Sequence, residues 1–155
     1  MSGVTWTLFA EASPELAAAG RRLLERSGTA EGFLATVRDG TPPRIHPVIV
    51  GVVEGRLVTF VIDGSAKERD LLEDGRYALH AHQDPAVPHE LLVRGRAVPV
   101  ADPALGAAAA AAWPFNVVDG GYRLFELGIE HVLLGERPDA DAWPPRYRSW
   151  RPPSR

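Results

Sequence analysis

The chain has 155 residues, 45% apolar and 24% charged, with a formal net charge of −3 and no cysteine. That length supports one domain with a real core, and the charge excludes the basic field that attracts nucleic acid. The absence of cysteine excludes disulfides, thiolate nucleophiles and cysteine-ligated metals, and no apolar run reaches membrane-spanning length.

The opening residues, Met1 to Trp6, lack the basic and apolar regions of a signal peptide, so the expectation is a cytoplasmic protein without membrane or nucleic-acid partners. Thr5 to Ala12 reads as a short helix that lays Trp6, Leu8 and Phe9 on the body. Ser13 and Pro14 then open a clearer helix, serine as cap and proline at the first helical position. Its apolar face is Leu16, Ala19, Leu23 and Leu24, and Ser27-Gly28 ends it.

A β-rich middle follows. Gly32 to Val37 reads as a strand, Asp39-Gly40 as a turn and Arg44 to Val53 as a second strand. Glu54-Gly55 is a tight hairpin turn before a third strand, Arg56 to Ile62. A helix runs from Ala66 to about Glu73, with Leu71 and Leu72 toward the core. Arg76 to His82 and His89 to Val100 are further strands, the latter with a bulge or close backbone approach expected at Gly95. Asp102-Pro103 caps an alanine-rich helix that stops near Trp113-Pro114. Tyr122 to Leu127 leads into a last strand, Ile129 to Leu134. The pattern is α+β, mainly antiparallel β, a small barrel or closed sheet with helices at its ends. It divides as one domain over 1–155, with helices over 1–28, the barrel over 30–135 and a C-terminal arm over 136–155.

Ser65 and Glu68 have capping-box spacing, and Lys67 places a cation in the first helical turn. Exposed N–H groups and the helix dipole already make that turn positive, so a bound phosphate would turn a cost into a gain. In the second strand, Arg44 and His46 share a face with Val48 and Val50, while Ile45, Pro47 and Ile49 share the other. Pro47 cannot donate to a ladder, which suits an edge or a locally open sheet. His80 and His82 share one strand face and His89 starts the next strand; three histidines could make a zinc or haem site, but their spacing is not diagnostic and a wet surface or subunit contact is the expectation. Arg94 and Arg96 project from the fifth strand.

In series, Gly32-Phe33-Leu34-Ala35-Thr36-Val37, Pro43-Arg44-Ile45-His46-Pro47-Val48, Gly64 to Leu72, Gly75-Arg76-Tyr77-Ala78-Leu79 and Leu92 to Ala97 resemble the FMN-binding split-barrel family related to pyridoxamine 5′-phosphate oxidase. The resemblance spans Gly32 to Val100. It implies a six-stranded antiparallel split β-barrel working as a homodimer, with FMN in a cleft at the interface. It implies that Arg44 and Lys67 hold the phosphate, that Ser65 adds a hydroxyl, and that Ile45, His46, Val61 and Ile62 line the flavin by backbone and side-chain contacts. Glu90 falls where the family often places a polar contact.

The chain departs from the oxidases of that family at Ile49, where they carry another basic residue, and at Trp150-Arg151-Pro152, a loose echo of their substrate-gripping segment. These departures argue against vitamin B6 oxidation. The expected activity is that of a flavin-dependent oxidoreductase on a small molecule, the flavin doing the redox step. The alternatives are the deazaflavin coenzyme, whose longer anionic tail Arg69, Arg94 and Arg96 could serve, and a non-catalytic flavin or haem carrier, with His80 and His82 as the haem-favouring residues.

Overall fold

In the computed structural model, which describes residues 3–154, the described strands form one antiparallel sheet. They are β1 (Glu31–Thr36), β2 (Arg44–Ile49), β3 (Gly51–Val53), β4 (Arg56–Ile62), β5 (Arg76–Ala81), β6 (Glu90–Pro99), β7 (Tyr122–Glu136) and β8 (Arg146–Trp150). Four helices accompany them: α1 (Trp6–Ala12), α2 (Pro14–Leu24), α3 (Ala66–Glu73) and α4 (Pro103–Ala112). Among the described residues, no helix is long and apolar enough to cross a membrane.

The sheet runs β2-β1-β5-β6-β7-β4-β3, with β8 on β7. β2 and β3 stand at opposite ends of that order yet adjoin in sequence, joined at Val50, so the sheet must curl round to meet itself. The Val50 N–H donates to Ala30 O at 2.9 Å, one step beyond the Glu31–Ile49 pair of the β1–β2 ladder. The result is an α+β split barrel, but with eight strands rather than the expected six. The second expected strand breaks at Val50 into β2 and β3. The C-terminal arm supplies β8, which pairs Val132–Glu136 through Trp150–Arg146. The last expected strand is longer than its apolar core, because Tyr122 to Glu136 runs without interruption.

Local chemistry fixes the connections. Glu54 (φ 51°) and Gly55 (φ 72°) give the β3–β4 hairpin the paired positive φ of a tight primed turn. The β6–β7 register shifts between Arg94 and Gly95, and a Cβ on Gly95 would collide with Gly128 O, so the expected bulge requires glycine. Thr5 caps α1 through its hydroxyl, which accepts from Leu8 N at 3.2 Å. Ser13 makes no such side-chain bond; its backbone N–H ends α1 on Phe9 O and its carbonyl starts α2 on Ala17 N.

The main core fills the barrel with Leu34, Val61, Leu79, Val93, Phe125 and Ile129, and α1 and α2 close one end. Trp6 meets Phe9 edge to face at 5.3 Å, and Trp150 of β8 covers Phe9 at 5.0 Å. Leu8, expected inward, is 53% exposed, since Trp6 and Phe9 already take the buried face of α1. Leu72 is likewise exposed and Leu71 alone anchors that part of α3. A smaller cluster of Val58, Ala109, Trp113, Val117 and Leu124 seats α4.

Candidate cofactor cleft

β2 and β4 diverge where the barrel splits. The buried Thr59 hydroxyl donates to Ile49 O at 2.7 Å, and this bond ties them together at the apex. Beyond it, β2 is laddered only to β1, and Phe60 to Ile62 of β4 only to β7. The facing edges bound a cavity of about 410 Å³. Pro47 and Ile49 line one lip, Phe60 and Ile62 the other, and Trp113 and Tyr122 the apolar wall. Phe60 and Trp113 pack edge to face at 4.9 Å.

Lys67 of α3 enters the same cavity. The capping box forms as expected: Ser65 Oγ accepts from Glu68 N at 3.1 Å, and Glu68 Oε1 accepts from Gly64 N at 3.0 Å. Glu68 then pairs with Arg123 at 3.1 Å, leaving Lys67 without an ion pair or hydrogen bond among the described residues. Partial burial pushes the Lys67 pKa below its ordinary value. An unpaired, partly desolvated ammonium at a helix N-terminus calls for an anion.

Arg44 is oriented by a buried carboxylate of the same helix. Asp70 is 1% exposed and accepts from Thr36 Oγ1 at 2.7 Å, Arg44 Nε at 2.8 Å and Arg38 Nε at 3.0 Å. Burial alone would raise the Asp70 pKa, but those three donors outweigh it and hold the carboxyl below its ordinary value. The bond to Asp70 uses only Arg44 Nε, so its terminal nitrogens stay available. His46 lies near enough to feel both cations: burial first, then Lys67 and Arg44, lower its pKa despite an opposing pull from Asp70. Its Nε2 is buried without a hydrogen-bond partner, as is Trp113 Nε1.

Of the expected residues, Lys67 and Ile62 line the cavity, Ser65 caps the helix that carries Lys67, and Arg44 and His46 lie on the face of β2 opposite Pro47 and Ile49, with His46 within electrostatic range of Lys67. Two further expected residues are not among those lining the cavity. The Val61 side chain is fully buried in the core, because alternation along β4 turns Phe60 and Ile62 toward the cleft and Val61 away. Ile45 shares the face of β2 that carries Pro47 and Ile49 and is 66% exposed, but it does not itself line the cavity. The aromatic wall was missed, because Trp113 and Tyr122 arrive from α4 and β7, far away in sequence. Ile49, read as a departure from a basic position, lines the cavity beside them.

Of the other candidates, His82 lines the cleft and the rest lie off it. His80 Nδ1 contacts Ala81 O at 2.8 Å, and His82 contacts Glu31 at 3.2 Å and packs on Phe33. His89 Nδ1 accepts from Arg137 N at 3.0 Å. Among the described residues, no group of three or more His, Cys, Asp and Glu side chains could hold a metal ion. Glu90 accepts from the Tyr147 hydroxyl at 2.6 Å. Arg96 reaches Asp74 O at 2.8 Å, and neither it nor Arg94 lines the cleft.

Solved structures share this architecture. A haem-binding protein from Mycobacterium smegmatis aligns at TM-score 0.65 and 22% identity, over 86% of this chain and 57% of that one. An FAD-binding protein from the same organism aligns at 0.59 and 19%, over 87% and 95%. PhzG from Burkholderia lata 383, in complex with tetrahydrophenazine-1-carboxylic acid, aligns at 0.56 and 14%, over 95% and 93%. The chain thus spans little more than half of the haem-binding protein and nearly all of the other two. No family model matches it, and no curated protein matches it. The shared fold is the split barrel of flavin- and haem-binding proteins.

Proposed function

We propose that the protein is an FMN-binding oxidoreductase that acts on a small molecule as a homodimer. The observation that carries this reading is Lys67, a cation without a carboxylate at the N-terminus of α3, inside an aromatic-walled cleft. The donor set fits a phosphate monoester. It comprises the Lys67 ammonium, the Arg44 terminal nitrogens, the Ser65 hydroxyl proton and the free first-turn N–H groups of α3. Phe60, Ile62, Trp113 and Tyr122 suit a flat ring, and the unpartnered Trp113 Nε1 supplies a donor that a heterocycle can satisfy.

FMN, when bound, supplies hydride transfer to or from the substrate. The chain's own part is to hold the phosphate at Arg44 and Lys67, to keep the ring against apolar walls, and to exclude water from them. His46 is held neutral beside two cations, which suits hydrogen bonding rather than charge. Haem and the deazaflavin coenzyme have weaker support, since His80 lies off the cleft, His82 in the cleft wall is held by Glu31, and Arg94 and Arg96 lie off the cleft.

The outer sheet face supports a second copy. The ladders set Pro47 opposite Phe33, Phe33 opposite His80, His80 opposite Leu92 and Leu92 opposite Leu133. Phe33 and Ile45 are 43% and 66% exposed along it, and a partly apolar face this broad calls for a cover.

The test is an FMN titration of the purified protein, read by its visible spectrum and by co-elution. Saturable uptake that falls at least tenfold in Lys67→Ala supports the reading. Equal uptake by the variant, or none by the wild type, overturns it.

A further inference from the structure

A second cavity of about 360 Å³ adjoins the apex end of the cofactor cleft. It lies between the α2–β1 connection, the β2–β3 corner and the C-terminus of α4, away from the outer sheet face. Among the described residues, the two spaces share only Ile49 and Trp113 in their linings. Ile49 is fixed there, because its carbonyl takes the Thr59 bond that closes the apex. The Trp113 indole is the larger part of the partition.

That indole is packed from both sides. Phe60, which lines the cleft and not the second cavity, meets it edge to face at 4.9 Å. Gly51, which lines the second cavity and not the cleft, backs it: a Cβ there would stand 3.3 Å from Trp113 Cζ3. The end of α4 sets its position, since the Trp113 N–H donates to Ala110 O at 3.3 Å and Pro114 stops the helix from continuing.

The partition is remote from the cations. Arg44, bound to Asp70 of the helix that carries Lys67, begins β2, and Ile49 ends it. The intervening run of strand spans about 16 Å. Lys67 therefore marks one end of the cleft and Trp113 the other.

We propose that Trp113 sets the length of ligand that the cleft accepts. The inference rests on the reading above, in which a phosphate is held at Lys67. The indole is then the stop that the far end of an aromatic body meets, and the second cavity is unused length behind it. An aromatic phosphate that fits between the cations and the indole is taken. A longer one is rejected, because the indole cannot retreat without striking the Gly51 backbone.

The test measures phenyl, biphenyl and para-terphenyl phosphate by calorimetry on the purified full chain, on Trp113→Leu and on Gly51→Ala, with FMN titrated alongside. In the wild type, biphenyl phosphate is expected to bind tighter than phenyl phosphate, and terphenyl phosphate about tenfold or more weaker than biphenyl. Trp113→Leu is expected to bind terphenyl phosphate about tenfold or more tighter than the wild type does, with phenyl phosphate little changed. Gly51→Ala, which keeps the test decisive if Trp113→Leu unfolds, presses the indole toward the cleft and is expected to weaken biphenyl about threefold more than phenyl phosphate. FMN uptake with terphenyl bound as tightly as biphenyl in the wild type, no gain for terphenyl in folded Trp113→Leu, or an equal effect of Gly51→Ala on both shorter probes would each overturn the length stop alone. No uptake of FMN or of any of the three probes would overturn the phosphate reading and the stop together.

Discussion

Arg44 Nε donates to Asp70 Oδ2 at 2.8 Å, joining the cleft-side strand β2 to the buried face of α3. Because Thr36 and Arg38 bind the same carboxylate, three separate elements converge on one charge. Asp70 thus positions Arg44 while leaving its terminal nitrogens unused.

Asp70→Asn is therefore expected to loosen both the fold and the site. Loss of the charge-assisted bonds should cost about 1–3 kcal/mol in urea denaturation and weaken FMN several-fold. The folded pKa of Asp70 lies below its unfolded value of about 3.9. Its stabilisation is complete above that value and is lost as pH falls through the folded pKa. The wild type should therefore lose its advantage over the variant below pH of about 4, in denaturation curves compared across that range.

Lys67 gives the opposite edge of the pH range. Desolvation lowers its pKa from the ordinary 10.5, and a bound phosphate would favour the charged form and raise it again. FMN affinity should therefore be flat at neutral pH and decline as pH rises through the free protein's lowered lysine pKa. A fluorescence titration series should show that decline in the wild type and its absence in Lys67→Ala, whose neutral-pH affinity is lower by about 1.5–3 kcal/mol.

Two glycines should respond in opposite directions to alanine. At Gly95 the new methyl would strike Gly128 O across the bulge, with an expected loss of about 2–3 kcal/mol. At Gly106, inside α4, nothing lies within 4 Å of the added carbon, so Gly106→Ala should gain about 0.5–1 kcal/mol. Urea midpoints of the two variants, side by side, check both.

Ile45→Glu tests the outer face. A charge on this 66% exposed residue costs an isolated chain little, since its side chain already meets water. Buried against a second copy it would be an unpaired charge, so light scattering should show dimer for the wild type and monomer for the variant.

Features governed by neighbours in sequence were legible beforehand. Glu54-Gly55, the Ser65–Glu68 capping box and the Gly95 bulge each follow from one residue's backbone freedom or hydrogen bonds. Val50 was not legible as a break, because the residues on either side read as one apolar run and only the demand that the sheet close bends them. β8 was hidden for a related reason: its Arg-Tyr-Arg-Ser-Trp sequence is polar, and its partner edge on β7 exists only once the barrel forms. At the site, Ser65 and Lys67 announced themselves through helix electrostatics. That Arg123, rather than Lys67, neutralises Glu68 depends on β7 lying beside α3, a contact no local pattern encodes.

The corner at Val50 gives the cleft a mechanical character. One lip, β2, continues through that corner and the β3 hairpin directly into the other lip, β4, so the two behave as the arms of a pair of tongs with their pivot beside the Thr59–Ile49 bond. Substitution at a lip changes what the jaws touch, whereas substitution at the pivot changes how far they stand apart. The gauge of the opening and the chemistry of its grip are thereby set by different residues, and can vary independently.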